Sequence, residues 1–318
     1  MENEIFDIII IGAGPAGLTA GLYASRRTLK TLILTKDLGG QAAITYDVEN
    51  YPGVQVIDGP ALMEKFKEQA QNFGAGIKFG EVRAINQKDG LFIIKTASEE
   101  FQAKSLILAF GLLPRDLDIP GEQKFKGRGV SYCAVCDGPL YKNKIAAVVG
   151  GGNAALDAAE YLAKLAAKVY LIHRRDQFRG EEVIVERLKK DPKVEMVLSS
   201  QIVEIKGGNF VEAVVLKENG GDKTREIKVS GVFVEIGYVA KTELVKNLVK
   251  LNEKGEIITD KNTSTSCPGI FACGDVTDCG YKQIVISAGE GAKAALQAYK
   301  YLCLRGGEKI LPDWERKW

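Results

Sequence analysis

The sequence predicts an α/β chain made of two nucleotide-binding strand–turn–helix units, one set inside the other, and three observations lead there. A short apolar run, Ile5 to Ile11, is followed at once by Gly12-Ala13-Gly14-Pro15-Ala16-Gly17. The pattern restarts with Ile145 to Val149 and Gly150-Gly151-Gly152-Asn153-Ala154-Ala155. Immediately upstream of the second copy stands Cys133-Ala134-Val135-Cys136-Asp137, whose two sulfurs can close into a small disulfide and reopen as a dithiol.

Ile5 to Ile11 is almost wholly apolar, as expected of a strand buried on both faces of a parallel sheet. A small-residue helix follows to about Arg27, and Thr31 to Thr35 completes a βαβ unit. Between Ala61 and Phe73, Leu62, Phe66, Ala70 and Phe73 recur at steps of three and four, the mark of an amphipathic helix. Strand-like segments cover about 77–87, 91–96 and 103–109. After the second fingerprint a helix runs to about Ala166, and Val169 to Ile172 is the next strand. Strand-like runs near 202–206, 211–217 and 225–229 carry a hairpin signal at Asn219-Gly220-Gly221, and Ser287 to Leu304 reads as a closing helix. The two βαβ units form an internal repeat of Rossmann-like type. The expected organisation is one domain of residues 1–113 and 241–318 interrupted by another of 114–240, with crossings near Pro114 and Ala240.

Bulk properties narrow the function. A chain of 318 residues is long for one core, which fits two domains. Its net charge of +2 comes with no basic stripe, so no nucleic-acid partner is expected. No apolar run approaches the roughly 18 residues of a membrane span. The start, Met1-Glu2-Asn3-Glu4 followed by Asp7, lacks the basic region of a secretory signal, and a cytoplasmic location is expected. Six cysteines in 318 residues make no disulfide framework, and Cys267, Cys273, Cys279 and Cys303 lack a C-x-x-C partner. No metal site is expected. In a reducing cytosol the Cys133/Cys136 pair reads as catalytic, with zinc binding or a structural bridge as the alternatives.

The first fingerprint, Gly12-x-Gly14-x-x-Gly17, gains weight from its strand–helix context, which aims backbone N–H groups at a pyrophosphate. The carboxylate that commonly holds the ribose at the end of the second strand is missing, because Thr35-Lys36 stands there. The second fingerprint, Gly150-x-Gly152-x-x-Ala155, is followed at its strand end by His173-Arg174-Arg175-Asp176-Gln177-Phe178-Arg179. A carboxylate at that strand end would repel a 2′-phosphate, whereas guanidinium forks match it, so NADPH is expected over NADH. The competing reading is a solvated basic face. His173, the sole histidine, is expected to line the nucleotide site without acid–base duty.

These motifs resemble low-molecular-weight thioredoxin reductases over essentially the full chain. The likeness rests on Gly12 to Gly17, Gly39-Gly40-Gln41, Glu49-Asn50-Tyr51-Pro52-Gly53, Cys133 to Gly138, Gly150 to Ala155 and His173 to Arg179. It continues through Gly269 to Asp275, Lys282-Gln283 and Ser287 to Gly291. The resemblance implies a flavoprotein oxidoreductase with FAD on the outer domain and NADPH on the inserted one. FAD contacts would come from Gly12, Gly14, Pro15, Ala16, Gly17, Gly39, Gly40, Gln41, Asn50, Gly111, Gly274, Asp275, Lys282 and Gln283. NADPH contacts would come from Gly150, Gly152, Asn153, Ala154, Ala155, His173, Arg174, Arg175 and Arg179. A glutathione-reductase-like enzyme is disfavoured, since its disulfide lies near the first helix and this chain has no cysteine before position 133. Three departures stand out: Phe110 where the family has threonine, Ala240-Lys241-Thr242 where it has Pro-Asn-Thr after Ile-Gly-x-x, and Lys282 where it has arginine.

The implied route runs from NADPH to FAD to the Cys133–Cys136 disulfide and on to a thioredoxin or glutaredoxin-like protein. By the resemblance, Cys136 lies nearest the flavin and Cys133 attacks the partner. Asp137 is the acid–base candidate; a free aspartate, with a pKa of about 3.9, would need burial to serve, and the alternative is that it caps a turn. A homodimer and a rotation of the inserted domain on its two connections are also implied. Other readings are a flavoprotein serving a peroxidase or a small-molecule disulfide, and a non-enzymatic nucleotide sensor with a regulatory disulfide. The peroxidase-linked form is expected to carry an extra N-terminal redox domain, whereas here the fingerprint begins within the first dozen residues. A flavin NADPH–ferredoxin reductase lacks the C-x-x-C.

Overall fold

The computed structural model describes residues 4–44 and 48–307. The acidic start at residues 1–3 and the tail aromatics Trp314 and Trp318 lie outside the described residues. The chain divides into two compact units, Met1–Leu112 with Ala240–Trp318, and Leu113–Val239.

The first unit opens with β1 (Ile5–Ala13), α1 (Pro15–Arg26) and β2 (Thr31–Leu38), then α2 (Gly59–Asn72), β3 (Gly76–Phe79), β4 (Ala84–Lys88), β5 (Leu91–Lys95) and β6 (Glu100–Leu108). β1 lies between β2 and β6, parallel to both. Period-2 geometry explains the unbroken isoleucine run. Ile8 and Ile10 enter the core formed with α1 and the C-terminal helix, while Ile9 and Ile11 enter the core on the opposite face with Phe92, Ile94 and Leu106. The expected strand over 77–87 is instead two strands with different jobs. β3 extends the parallel part beside β2, and β4 pairs antiparallel with β5, so the chain must break between them.

The second unit begins with β7 (Leu113–Pro114), α3 (Glu122–Phe125), β8 (Val130–Ser131) and α4 (Ala134–Asp137), then β9 (Ile145–Gly150), α5 (Asn153–Leu165) and β10 (Lys168–Ile172). It continues through α6 (Glu182–Lys190), β11 (Val194–Val197), β12 (Ser200–Gly207), β13 (Val211–Glu218), β14 (Thr224–Lys228), β15 (Gly231–Glu235) and β16 (Tyr238–Val239). Its central sheet runs β11-β10-β9-β15-β8, all parallel. Ala146 and Val148 face α5, and Ala147 and Val149 face the antiparallel β12-β13-β14 sheet, repeating the two-faced burial of the first unit. β7 pairs with β16, so the two chain crossings run side by side.

The chain then returns to the first unit, where β17 (Ile270–Ala272) pairs with β6 and α7 (Ile284–Arg305) packs on α1. A Cβ on Gly291 would overlap the Ala16 carbonyl, so glycine there sets how closely the two helices approach. In both units the strand order reverses at the strand carrying the fingerprint, which opens a crevice at its C-terminal end.

Candidate functional site

In the first unit the three fingerprint glycines divide the work. Gly12 has φ +108°, and a Cβ there would crowd the Ala109–Phe110 backbone. A Cβ on Gly17 would overlap the Gly12 carbonyl, so the third glycine permits helix–strand contact. Around the Gly14 Cβ position the nearest atom, Gly39 O, is 3.8 Å away, which leaves room for a ligand to reach the start of α1. Pro15 opens that helix, where its missing N–H costs nothing. The Gly39 N–H donates to Ala13 O at 2.8 Å, which draws Gly39, Gly40 and Gln41 to the fingerprint. Gln41 Nε2 donates to Leu112 O at 3.0 Å, one residue beyond Gly111, and Asn50 Nδ2 donates to Gln283 Oε1 at 3.1 Å.

Thr35 has a job of its own in place of the ribose-binding carboxylate. Its buried hydroxyl accepts from Ala13 N–H at 3.2 Å and donates to Asp37 O at 2.5 Å, while Lys36 pairs with Glu81. Gly274, at φ +75°, abuts the Ala16 methyl, and its N–H donates to Glu290 Oε2 at 2.8 Å. Ser287 Oγ donates to Asp275 Oδ1 at 3.1 Å; burial pushes the Asp275 carboxyl up, against the Ser287 hydrogen bond and Lys282. Lys282 donates to the carbonyls of Asp275 (3.0 Å) and Thr277 (2.6 Å) and lies 3.4 Å from Glu256. The lysine that stands for the family's arginine therefore braces its own loop. Phe110 packs its ring into the core with Leu106 and Leu108. Glu290 and Ser287 are not among the expected contact residues, although their i, i+3 spacing places both on one face of a helix.

In the second unit a Cβ on Gly150 would overlap the Glu235 carbonyl, and one on Gly151 would overlap the His173 ring, whereas Gly152 has nothing within 4 Å. The open position again lies at a helix start, that of α5. Asn153 Oδ1 accepts from Glu181 N–H at 2.8 Å, and Ala154 and Ala155 continue the first turn. His173 is buried and stacks on Phe178 at 5.5 Å, with the rings 19° from parallel. Its Nε2 has no hydrogen-bond partner, an orphaned polar atom beside the fingerprint. Burial holds its pKa down, helped by Arg179, Arg175 and Arg174, so the ring is neutral near pH 7. Those three arginines are exposed, and none takes part in an ion pair among the described residues. A backbone cradle, a buried unsatisfied ring nitrogen and three free guanidiniums at one strand end fit a phosphorylated dinucleotide.

Cys133 and Cys136 are joined as a disulfide across α4. Cys136 N–H donates to Cys133 Sγ at 3.1 Å, and the Ser131 hydroxyl bonds both backbone groups of Cys133 at 3.1 Å. Cys136 is exposed and Cys133 half-buried. The adjoining Tyr132 hydroxyl lies 2.7 Å from Asp116 and 2.8 Å from Glu122, a fully buried carboxylate that also accepts the Leu117 and Asp118 N–H groups. Asp137 is half-buried at the start of the next turn, and its side chain makes no capping hydrogen bond there. Glu235, which carries no sequence motif, ends β15 in register with Gly150, and burial pushes its carboxyl up to about 7. The other four cysteines are thiols, and burial pushes that of Cys273 far up.

Two dinucleotide cradles and a C-x-x-C disulfide define a class, the pyridine nucleotide-disulphide oxidoreductases. The model of that family matches residues 6–291, and the chain belongs to it. Within the family it is similar to the thioredoxin reductase of Peptoclostridium acidaminophilum, 42% identical over 95% of this chain and 98% of the relative. The solved thioredoxin reductase of Lactococcus lactis superposes with a TM-score of 0.85 at 40% identity, covering 94% of this chain and 99% of that one. An alkyl hydroperoxide reductase component from Pseudomonas putida is 40% identical over 94% of this chain, which spans 59% of that protein. The expected resemblance and α/β fold class are borne out by these relatives.

Proposed function

We propose that this protein is an NADPH-dependent thioredoxin-disulfide reductase, with FAD held by the Met1–Leu112 and Ala240–Trp318 unit and NADPH by Leu113–Val239. One observation carries the reading: an accessible Cys133–Cys136 disulfide belongs to the same compact unit as a dinucleotide cradle edged by unpaired arginines. The relatives named thioredoxin reductase support it across nearly their whole length. FAD and NADPH would supply hydride transfer and two-electron delivery to the disulfide.

The chain's own residues bind, orient and protonate. Gly12, Gly14, Pro15, Ala16 and Gly17 present α1 to a pyrophosphate, with Gly39, Gly40, Gln41, Asn50 and Gly111 along the same edge. Asp275, kept in place by Ser287, offers a carboxylate to the ribityl hydroxyls. Lys282 and Gln283 fix the loop that carries it, through the Asp275 carbonyl and Asn50 respectively. Gly150, Gly152, Asn153, Ala154 and Ala155 serve the NADPH pyrophosphate, and Arg174, Arg175 and Arg179 the 2′-phosphate, with neutral His173 behind them. Asp137, half-buried and adjoining Cys136 in the chain, is the group that exchanges the proton of the dithiol in this reading. Reduction of the partner begins when one thiolate attacks the partner's disulfide, forming a mixed disulfide that the second sulfur resolves. Cys133 is the attacking sulfur by family resemblance, although Cys136 is the more exposed of the two here. The protein would work as a cytoplasmic homodimer, without nucleic acid or membrane; no described helix is long and apolar enough to cross a membrane.

The test is NADPH consumption with purified thioredoxin-like proteins from the same organism, run beside a peroxidase and small-molecule disulfides. Turnover should depend on a thioredoxin-like protein and vanish in Cys133→Ser. A mixed disulfide trapped on Cys133 in Cys136→Ser assigns the attacking sulfur. Turnover only with the peroxidase or the small molecules would contradict the proposal.

A further inference from the structure

Tyr132 immediately precedes Cys133, and its phenol has no part in the route above. Ser131, one residue earlier, ends β8, whose pairing with β15 fixes it to the central sheet of the second unit. The Tyr132 hydroxyl reaches the loop that opens this unit, where its single proton is shared between Asp116 Oδ1 at 2.7 Å and Glu122 Oε1 at 2.8 Å. Glu122 is fully buried, and it also accepts the Leu117 N–H on Oε1 and the Asp118 N–H on Oε2, each at 2.8 Å. A buried carboxylate depends on such donors, because losing one leaves its charge poorly solvated. Asp116 accepts in turn from Lys126 at 2.8 Å and from Gln123 Nε2 at 3.3 Å, and the Lys126 ammonium lies 5.0 Å from the centre of the Tyr132 ring. The loop is itself braced, since Arg115 N–H donates to Gly237 O at 2.9 Å beside the β7–β16 pairing. Burial and the two carboxylates push the phenol pKa up, so the donor keeps its proton.

These contacts act on the Cys133 end of the redox turn. Cys133 is held through both of its backbone groups by the Ser131 hydroxyl, at 3.1 Å each, and through its neighbour by the seated Tyr132 ring. Cys136 lies one helical turn further on, in α4, and is exposed. Reduction adds two electrons and two protons, breaks the S–S bond and leaves two thiols; closure returns both electrons and both protons to the oxidant. We propose that Tyr132 is a positioning residue for the redox pair: with the bond open, its carboxylate-held phenol keeps Cys133 where the disulfide places it, so that closure has only Cys136 to order. A sulfur already in place loses less freedom when the ring closes, which favours the disulfide over the dithiol. The inference rests on the proposed cycling of this pair between disulfide and dithiol.

The test equilibrates the holoenzyme near neutral pH with mixtures of reduced and oxidised dithiothreitol. Acid quenching, alkylation and mass spectrometry of the peptide bearing Cys133 and Cys136 then give the equilibrium constant for closing the disulfide. Tyr132→Phe, which removes only the hydroxyl, should lower that constant about 3- to 30-fold, no more than ordering one residue's backbone is worth. Asp116→Asn, whose amide oxygen still accepts from the phenol, should stay within about twofold of wild type. A clamp that serves folding alone would lower the melting temperature of Tyr132→Phe and leave the constant at its wild-type value, and that result would overturn the proposal. A shift as large in Asp116→Asn as in Tyr132→Phe would mark an effect of charge and overturn it too. If Tyr132→Phe fails to fold, hydrogen exchange of the wild-type protein serves instead. The Leu117, Asp118 and Cys133 amides should be as protected in the dithiol as in the disulfide, and protection lost on reduction would overturn the proposal. Because dithiothreitol sets the redox state, a Tyr132 effect without reduction by NADPH would defeat the proposed electron route and leave this inference standing.

Discussion

Asn50 Nδ2 donates to Gln283 Oε1 at 3.1 Å, joining side chains 233 positions apart in sequence. Gln283 is also the N-cap residue of α7. Two residues that the family resemblance assigns to flavin binding thus hold one another in place, and the bond ties the loop after β2 to the start of the closing helix. A dinucleotide cradle in a discontinuous unit needs such ties, because the segments that shape it come from opposite ends of the chain.

Gly17 has no room for a methyl group. In Gly17→Ala the new Cβ would overlap the Gly12 carbonyl, a backbone atom that cannot rotate away. The variant should lose at least about 1–3 kcal/mol of stability and much of its flavin. Chemical denaturation with flavin absorbance checks both. Ala155, at the equivalent place in the second unit, already carries a buried methyl group, so Ala155→Gly should cost about 1–2 kcal/mol, from a helical glycine and the loss of that methyl.

The three arginines should set nucleotide preference. Replacing Arg174 and Arg175 with alanine removes guanidiniums that have no internal partner, so folding should be unaffected. The KM for NADPH should rise about 10- to 100-fold, as expected on losing charge-assisted phosphate contacts of about 1.5–3 kcal/mol, with the KM for NADH nearly unchanged. Parallel rises for both nucleotides would instead mark the cluster as a general surface feature.

Asp137→Asn should lower turnover by about a hundredfold or more and alter the pH dependence of kcat, as loss of a general acid does. Steady-state rates across pH check this. Unchanged rate and profile would remove Asp137 from the chemistry.

Glu235 should also set a pH dependence of stability. Its carboxyl has a folded-state value of about 7 against 4.5 in the unfolded chain, so in that interval the folded state holds the proton that the unfolded state has lost. Stability should therefore fall as pH rises from about 4.5 to about 7 and level off above. Glu235→Gln should remove this loss, stabilising the oxidised protein at pH 8 by up to about 3 kcal/mol and leaving it nearly unchanged at pH 4. Melting curves at the two pH values measure the difference.

The features legible in the sequence were those written locally. The isoleucine run before Gly12, the glycine spacings and the pair Cys133 and Cys136 each lie within a dozen residues, and the geometry that gives them meaning is that of a single turn or strand. Thr35, Glu290 and Glu235 were not legible. Thr35 appeared as a missing carboxylate, and its hydroxyl gains a task only through the backbone of Ala13 and Asp37. Glu290 acts on Gly274 across a helix–loop contact, and Glu235 of β15 feels the charge of Asp157 on α5. No spacing rule links those pairs, because tertiary packing decides them. The helix α6 was missed for a related reason: it is short, strongly charged, and buries only Ile184, Val185 and Leu188.

An anaerobic titration of the purified protein with NADPH, following flavin absorbance and the thiols of Cys133 and Cys136 together, tests the electron route most directly. The account predicts that the first electron pair appears as two new thiols in the Cys133–Cys136 peptide. Flavin that bleaches while those sulfurs stay bonded, or protein that binds no flavin, would contradict it.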